Sequence, residues 1–183
     1  MPETRAALEV QVKRLSALIG ATREDILAPQ GLSVWARAQR TLQPHEAWTT
    51  FKDRIERENP RMAFTVARGL VAGSQISAAD RGWAALMREE ARARLAYLLP
   101  PGTILCMPTT PFPAPERGLP VTQTDPLRDR ITCLAAHGGL AGFPQLSIPG
   151  ATVDGAPVGL SILGACGSDA TLVAVARALE QNA

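Results

Sequence analysis

Lysine is nearly absent from this chain of 183 residues: Lys13 and Lys52 are the only two among 19 basic side chains. Histidine is as scarce, at His45 and His137, and aromatic residues make up 4%. With a net charge of +2 and no basic cluster interleaved with aromatics, nothing points to nucleic acid or an anionic membrane. Cys106, Cys133 and Cys166 stand far apart with no CxxC spacing, so buried reduced thiols are expected and neither a disulfide framework nor a zinc site. No apolar run approaches the ~18 residues of a membrane span. The start, "MPETRAALEV", is charged and lacks the apolar core of a signal peptide, which makes the cytoplasm the default compartment.

Several chemistries are missing as well. The strings closest to a G-x-S-x-G elbow are "GLSVW" and "GLSIL", and neither has the second glycine. Ser161, in "VGLSILG", reads more simply as an alternating strand residue. His137 precedes Gly138–Gly139 at an expected helix end, where an imidazole would cap carbonyls. Lys13 and Lys52 lie on charged helical faces and read as solvated. The acidic runs "REE" and "DRD" are ordinary helix charges, so no metal site is expected. No GxGxxG or P-loop string occurs, and no cofactor is implied.

What is present is a 46% hydrophobic chain with enough length for one sizeable core. Leu8, Val12, Leu15 and Ile19 recur at helical spacing, with Pro2 at the first position and Gly20 at the end. No capping side chain precedes Pro2, which is expected of a helix that begins partway through an architecture. "REDILAPQG" reads as a short strand or turn. Residues 34–58 read as helical with an interruption at Pro44, anchored by Trp35, Leu42, Trp48, Phe51 and Ile55. "ENPRMAFTVARGLVAG" suggests a short helix. Ser77 and Asp80 mark the start of a long one, with Trp83, Met87, Ala91, Leu95 and Leu98 on one face.

"TILCM" then reads as a buried strand suited to a sheet interior. It runs into a stiff loop, "MPTTPFPAPERG". "DPLRDRITCLAAHGGL" reads as a helix ending at Gly138–Gly139. "PQLSIPG" and "PVGLSILG" read as strands joined by an Asp154–Gly155 turn, and a last helix is capped by Ser168. The order predicts an α/β layered architecture, with a helical segment at 1–99 and a strand, loop, helix and hairpin segment at 103–183.

Several of these strings occur together in one family. "TILCMPTTPFPAPERG", followed by "RITCLAAHGGLAGFPQLSIPGATVDGAPVGLSILGACGSDATLVAVARALE", resembles the C-terminal part of the amidase signature family. Upstream, "EAW", "ENP", "AAD", "MREEARARL" and "LLPPGT" are similar too, in order and with suitable spacing. The resemblance implies the C-terminal portion of a mixed-sheet α/β/α fold, incomplete on its own. It implies hydrolysis of carboxamides to acid and ammonia by a lysine, a bridging serine and a nucleophilic serine. The G-G-S-S-G-G-S block and lysine of that signature do not occur here, since Gly73–Ser74 and Gly167–Ser168 are the glycine–serine pairs.

The expectation is therefore of a chain without catalytic residues, inactive alone and completed by an N-terminal half, or else a non-catalytic accessory module or truncated product. Self-association through an exposed sheet edge is the other partner expected. Thr109, Thr110 and Gln145 are candidate lining residues of a small-molecule amide pocket. Local turn bonding for the threonines, and a satisfied polar role for Gln145, remain open beside that reading. Pro108, Gly142, Pro144, Gly155 and Gly159 read as backbone-shape residues.

Overall fold

The computed structural model describes residues 2–181, so the position before Pro2 lies outside it. Helix α1 (Pro2–Ile19) ends where Gly20, at φ 90°, donates to the Ser16 carbonyl. Its covered stripe runs Thr4, Leu8, Gln11, Leu15, three or four residues apart. Val12 and Ile19, expected on that face, stay 39% and 42% exposed because the stripe is centred to one side of them.

Helix α2 (Leu32–Glu58) passes through Pro44 without a break. The expected interruption is overridden by packing. Trp35, Ala36, Ala38 and Leu42 are buried before the proline, and α3 (Phe64–Ser74) closes on the helix at the proline itself. A Cβ on Gly73 would stand 2.1 Å from the Pro44 carbonyl oxygen, so only glycine permits this approach. Of the expected anchors beyond it, Trp48 and Ile55 are half-buried and Phe51 is 50% exposed.

Helix α4 (Ala78–Leu98) begins as expected: the Ser77 hydroxyl accepts from the Asp80 amide and donates to its carboxylate. Ala84, Ala91, Leu95 and Leu98 are buried, with Trp83 and Met87 at the margin. The stretch 20–31 forms no strand. Arg94 pins it to α4 through the Ile26 and Leu27 carbonyls and Asp25.

Strands β1 (Ile104–Pro108), β2 (Gln145–Val153) and β3 (Ala156–Gly164) form one antiparallel sheet in the order β1-β3-β2. Asp154 and Gly155, at φ 50° and 79°, give the left-handed pair of a type I′ hairpin turn. The expectation of an interior β1 does not hold within this chain. It is an edge strand, half-buried at every position, because no further element among the described residues pairs with its outer side.

Helix α5 (Val121–Ala141) runs through the expected stop at Gly138–Gly139. It ends three residues on, where Gly142 adopts φ 77° and the amides of Gly142 and Phe143 both donate to the Gly138 carbonyl. The glycine pair serves packing instead. A Cβ on Gly138 would stand 2.8 Å from both Gln145 Oε1 and the Phe143 carbonyl. In α6 (Asp169–Gln181), the Ser168 hydroxyl donates back to the Ala165 carbonyl, while its own carbonyl accepts from the Leu172 amide.

The result is three layers. Leu8, Leu15, Leu172 and Leu179 of α1 and α6 cover one sheet face, against Ile148, Val158, Leu160 and Ile162. On the other, Trp35, Leu42, Leu95, Leu98 and Leu140 of α2, α4 and α5 close over Leu163. Each fully buried leucine contributes about 2 kcal/mol. No helix among the described residues is long and apolar enough to cross a membrane.

Candidate functional site

Residue alternation decides what the second sheet face offers. Even-numbered residues of β3 point at α1 and α6, so Gly159, Ser161 and Leu163 face the other way. Register sets Ser161 between Met107 and Ser147. Along this face the surface changes from apolar at Leu163, under the helices, to hydroxyl-bearing at Thr109 and Ser147, where Ser147 is exposed.

Thr109 Oγ1 and Ser147 Oγ lie 2.8 Å apart, and the Thr109 amide donates to the Gly159 carbonyl at 2.8 Å. The pair closes across β3 because Gly159 has no side chain. A Cβ there would come within 2.8 Å of the serine oxygen and 3.0 Å of the threonine oxygen. Thr110 donates to the Phe112 carbonyl at 2.8 Å, a bond internal to the loop. The loop is held from both sides. Buried Thr4 donates to the Pro111 carbonyl at 3.0 Å, and the Arg130 guanidinium stacks on Phe112.

Gln145 sits deeper. Its Nε2 donates to Ser161 Oγ at 2.7 Å and its Oε1 accepts from the Gly138 amide at 3.2 Å, tying the end of α5 to the sheet. A small hollow of about 100 Å³ lies beside it, lined by Pro144, Leu146, Asp169, Leu172 and Val173. A larger cleft of about 300 Å³ lies between α2 and α3, among Phe51, Ile55, Met62, Val66 and Leu70. That cleft is apolar and holds none of the hydroxyl groups.

Neither histidine supplies a base. His137 does not cap a carbonyl as expected: it is fully buried, both ring nitrogens lack partners, and burial alone pushes its pKa down to about 4. His45 accepts at Nε2 from Arg81 (3.0 Å), so its Nδ1 carries the proton facing the Gly73 carbonyl at 3.4 Å. Lys13 and Lys52 are both exposed, and among the described residues no serine is bonded to either. Burial raises the Cys106 thiol, the reverse of what activates a nucleophile.

The sequence signalled Thr109, Thr110 and Gln145. It did not signal Ser147 or the spacer role of Gly159. The hairpin turn approximates the pairing of Ser147 with Ser161, but a bulge between Pro149 and Ala151 shifts the count, and nothing local encodes how β1 meets β3.

This α/β/α sandwich with a hydroxyl-lined sheet end has counterparts among known proteins. Rice Amidase 1 (Oryza sativa subsp. japonica) is 31% identical over 158 residues, which is 82% of this chain and 35% of that protein. One glutamyl-tRNA(Gln) amidotransferase subunit, from Geobacillus thermodenitrificans, is 40% identical over 79 residues, 43% of this chain and 16% of its own length. A crystal structure of an amidase superposes with a TM-score of 0.77 at 28% identity, covering 98% of this chain and 42% of that one. No family model matches. These relatives are amide-bond enzymes by name. The chain belongs to the amidase signature family, and it spans between about a third and two-fifths of the length of the full-span relatives it matches.

Proposed function

We propose that this chain supplies scaffold and one side of a carboxamide-hydrolysing cleft, with the nucleophilic serine, bridging serine and lysine carried by polypeptide beyond its span. In such an assembly the base takes the proton of the attacking hydroxyl, the hydroxyl adds to the amide carbonyl, and ammonia leaves before water releases the acid. The role of Thr109, Thr110 and Gln145 is the cleft wall. Thr109, paired with Ser147, offers hydroxyls to the substrate, Thr110 shapes the loop, and Gln145 sets the depth of the floor.

The observation that carries this reading is one of coverage. Nearly all of this chain aligns on an amidase of which it represents 42%, while both of its own lysines are exposed and, among the described residues, neither is hydrogen-bonded to a serine. An N-terminal half is the fitting partner, and a relative that is by name one subunit of an amidotransferase gives precedent for an amide-bond enzyme working in an assembly. The test is ammonia release from a simple carboxamide by the chain alone, and by the chain co-expressed with the part of rice Amidase 1 outside the aligned region. Turnover only with both supports the proposal. Turnover by the purified chain alone refutes it, and a stable chain that binds amides but gains no activity identifies a non-catalytic accessory module.

A further inference from the structure

The two open edges of the sheet differ in kind. The bond from the Thr109 amide to the Gly159 carbonyl fixes which backbone groups of β1 point inward: those of Leu105, Met107 and Thr109 bond β3. The groups of Ile104, Cys106 and Pro108 then point away from the sheet. On the other side the Gly164 amide reaches the Pro144 carbonyl, so β3 bonds β2 through its even-numbered residues, and Gln145, Ser147 and Pro149 point outward there. Both prolines thus fall where a missing N–H costs no bond within the sheet.

Beyond that symmetry the edges part. β2 has the features of a natural edge: exposed Ser147 and Pro149, a bulge after Pro149, and the Gly150 carbonyl taken by Gln11 of α1. β1 shares only the outward-facing proline, with Pro108 half-buried where Pro149 is exposed. Ile104, Leu105, Cys106 and Met107 are apolar on both faces, half-covered on both, and carry no charge or bulge. Among the described residues nothing bonds the outward amides of Ile104 and Cys106. A strand apolar on two faces belongs inside a sheet.

We infer that the outer edge of β1 is the seam at which this sheet continues onto the complementing polypeptide, which adds a strand along Ile104–Pro108. This rests on the proposed function for the partner's identity. The occupant is that polypeptide and not a second copy for a reason of size. A five-residue edge gives two identical chains far less than the roughly 1,600 Å² of a stable interface, whereas more than half of an amidase lies outside this chain's 42% share.

The experiment uses the full chain with the part of rice Amidase 1 outside the aligned region as probe, read by amide hydrogen exchange and by co-purification. Cys106→Pro removes the outward N–H and leaves the ladder to β3 intact, and Ser147→Pro does the same at the β2 edge. A melting temperature of each variant alone within a few degrees of the parent's shows that it folds. Expected is a slowing of exchange by about tenfold or more at Ile104 and Cys106 on complex formation, with loss of co-purification in Cys106→Pro only. Protection confined to Gln145 and Ser147, binding that survives Cys106→Pro, no binding at all, or protection of β1 by the chain alone at high concentration would each overturn it. The two readings separate cleanly: hydrolysis without β1 protection sinks the seam and keeps the function, while β1 protection without hydrolysis does the reverse.

Discussion

The imidazole of His137 meets the indole of Trp35 edge to face, with ring centroids 5.8 Å apart and planes inclined at 70°, and neither imidazole nitrogen has a partner. Trp35 directs its own N–H to Glu90, so the contact leaves the histidine neutral among apolar groups. A neutral imidazole is tolerated there and a charged one is not.

The consequence is acid lability with a defined window. In the unfolded chain His137 protonates near its ordinary pKa of 6.5, and in the folded chain only near 4. Between those values the unfolded state binds more protons, so stability present above pH 6.5 is lost as the pH falls toward 4. The loss is about 1 kcal/mol by about pH 5.5 and about 3 kcal/mol by about pH 4. Urea melts across this range check it. His137→Phe should flatten the slope above about pH 5, where most carboxylates are still ionised. An unchanged slope assigns the acid response to other groups.

Gly73→Ala should be among the more damaging single-methyl additions in the chain. Its Cβ would collide with backbone, the Pro44 carbonyl oxygen at 2.1 Å, which cannot rotate aside. Separating α3 from α2 is the remaining response, with an expected loss of about 3 kcal/mol in urea melts. Exchange at α3 amides should rise more than in α4. Gly69→Ala, on the same helix with open space around it, is the control and should be neutral or stabilising.

These two sites also mark where the sequence could be read and where it could not. The Ser77–Asp80 cap, the Asp154–Gly155 turn and the alternate facing of β3 residues are local, encoded within a few residues, and each appears in the fold. Pro44 and Gly138–Gly139 carry local stop signals that lose to tertiary packing: a proline costs a helix interior ~3 kcal/mol and a glycine about 1, less than the core around Trp35 and Leu140 contributes. The capping role expected of His137 fails for the same reason, since its helix ends at Gly142 instead. The apolar character of "TILCM" is legible, but its edge position is set by which strands pair with it, and that is not encoded locally. At the site, Thr109, Thr110 and Gln145 stand in legible strings, whereas the Thr109–Ser147 pair depends on a strand register that only assembly creates.

Gln145 provides a stability test distinct from any role in the cleft. Gln145→Leu leaves the buried Ser161 hydroxyl without its donor and should cost about 1–2 kcal/mol. Ser161→Ala should cost about 1 kcal/mol. The double variant should fall short of the sum, because the second change removes the group that the first left unsatisfied. Strict additivity in urea melts would mean that the two side chains are not bonded in solution.

The hydroxyl pair gives the sharpest test of the proposed cleft wall. In Gly159→Ala the new methyl meets the movable ends of Ser147 and Thr109, at 2.8 and 3.0 Å, and the Ile148 carbonyl at a less severe 3.2 Å. Rotation of the hydroxyls absorbs most of that, so the melt should shift by under about 1 kcal/mol while the pair separates. If the pair receives the substrate, the complemented enzyme should show a KM several-fold higher with kcat nearly unchanged, the pattern of binding lost equally from ground and transition states. Ser147→Ala, which removes one hydroxyl without adding bulk, should move KM in the same direction. Unaltered KM in both variants would remove Thr109 and Ser147 from the wall and leave them as a clasp between the outer strands.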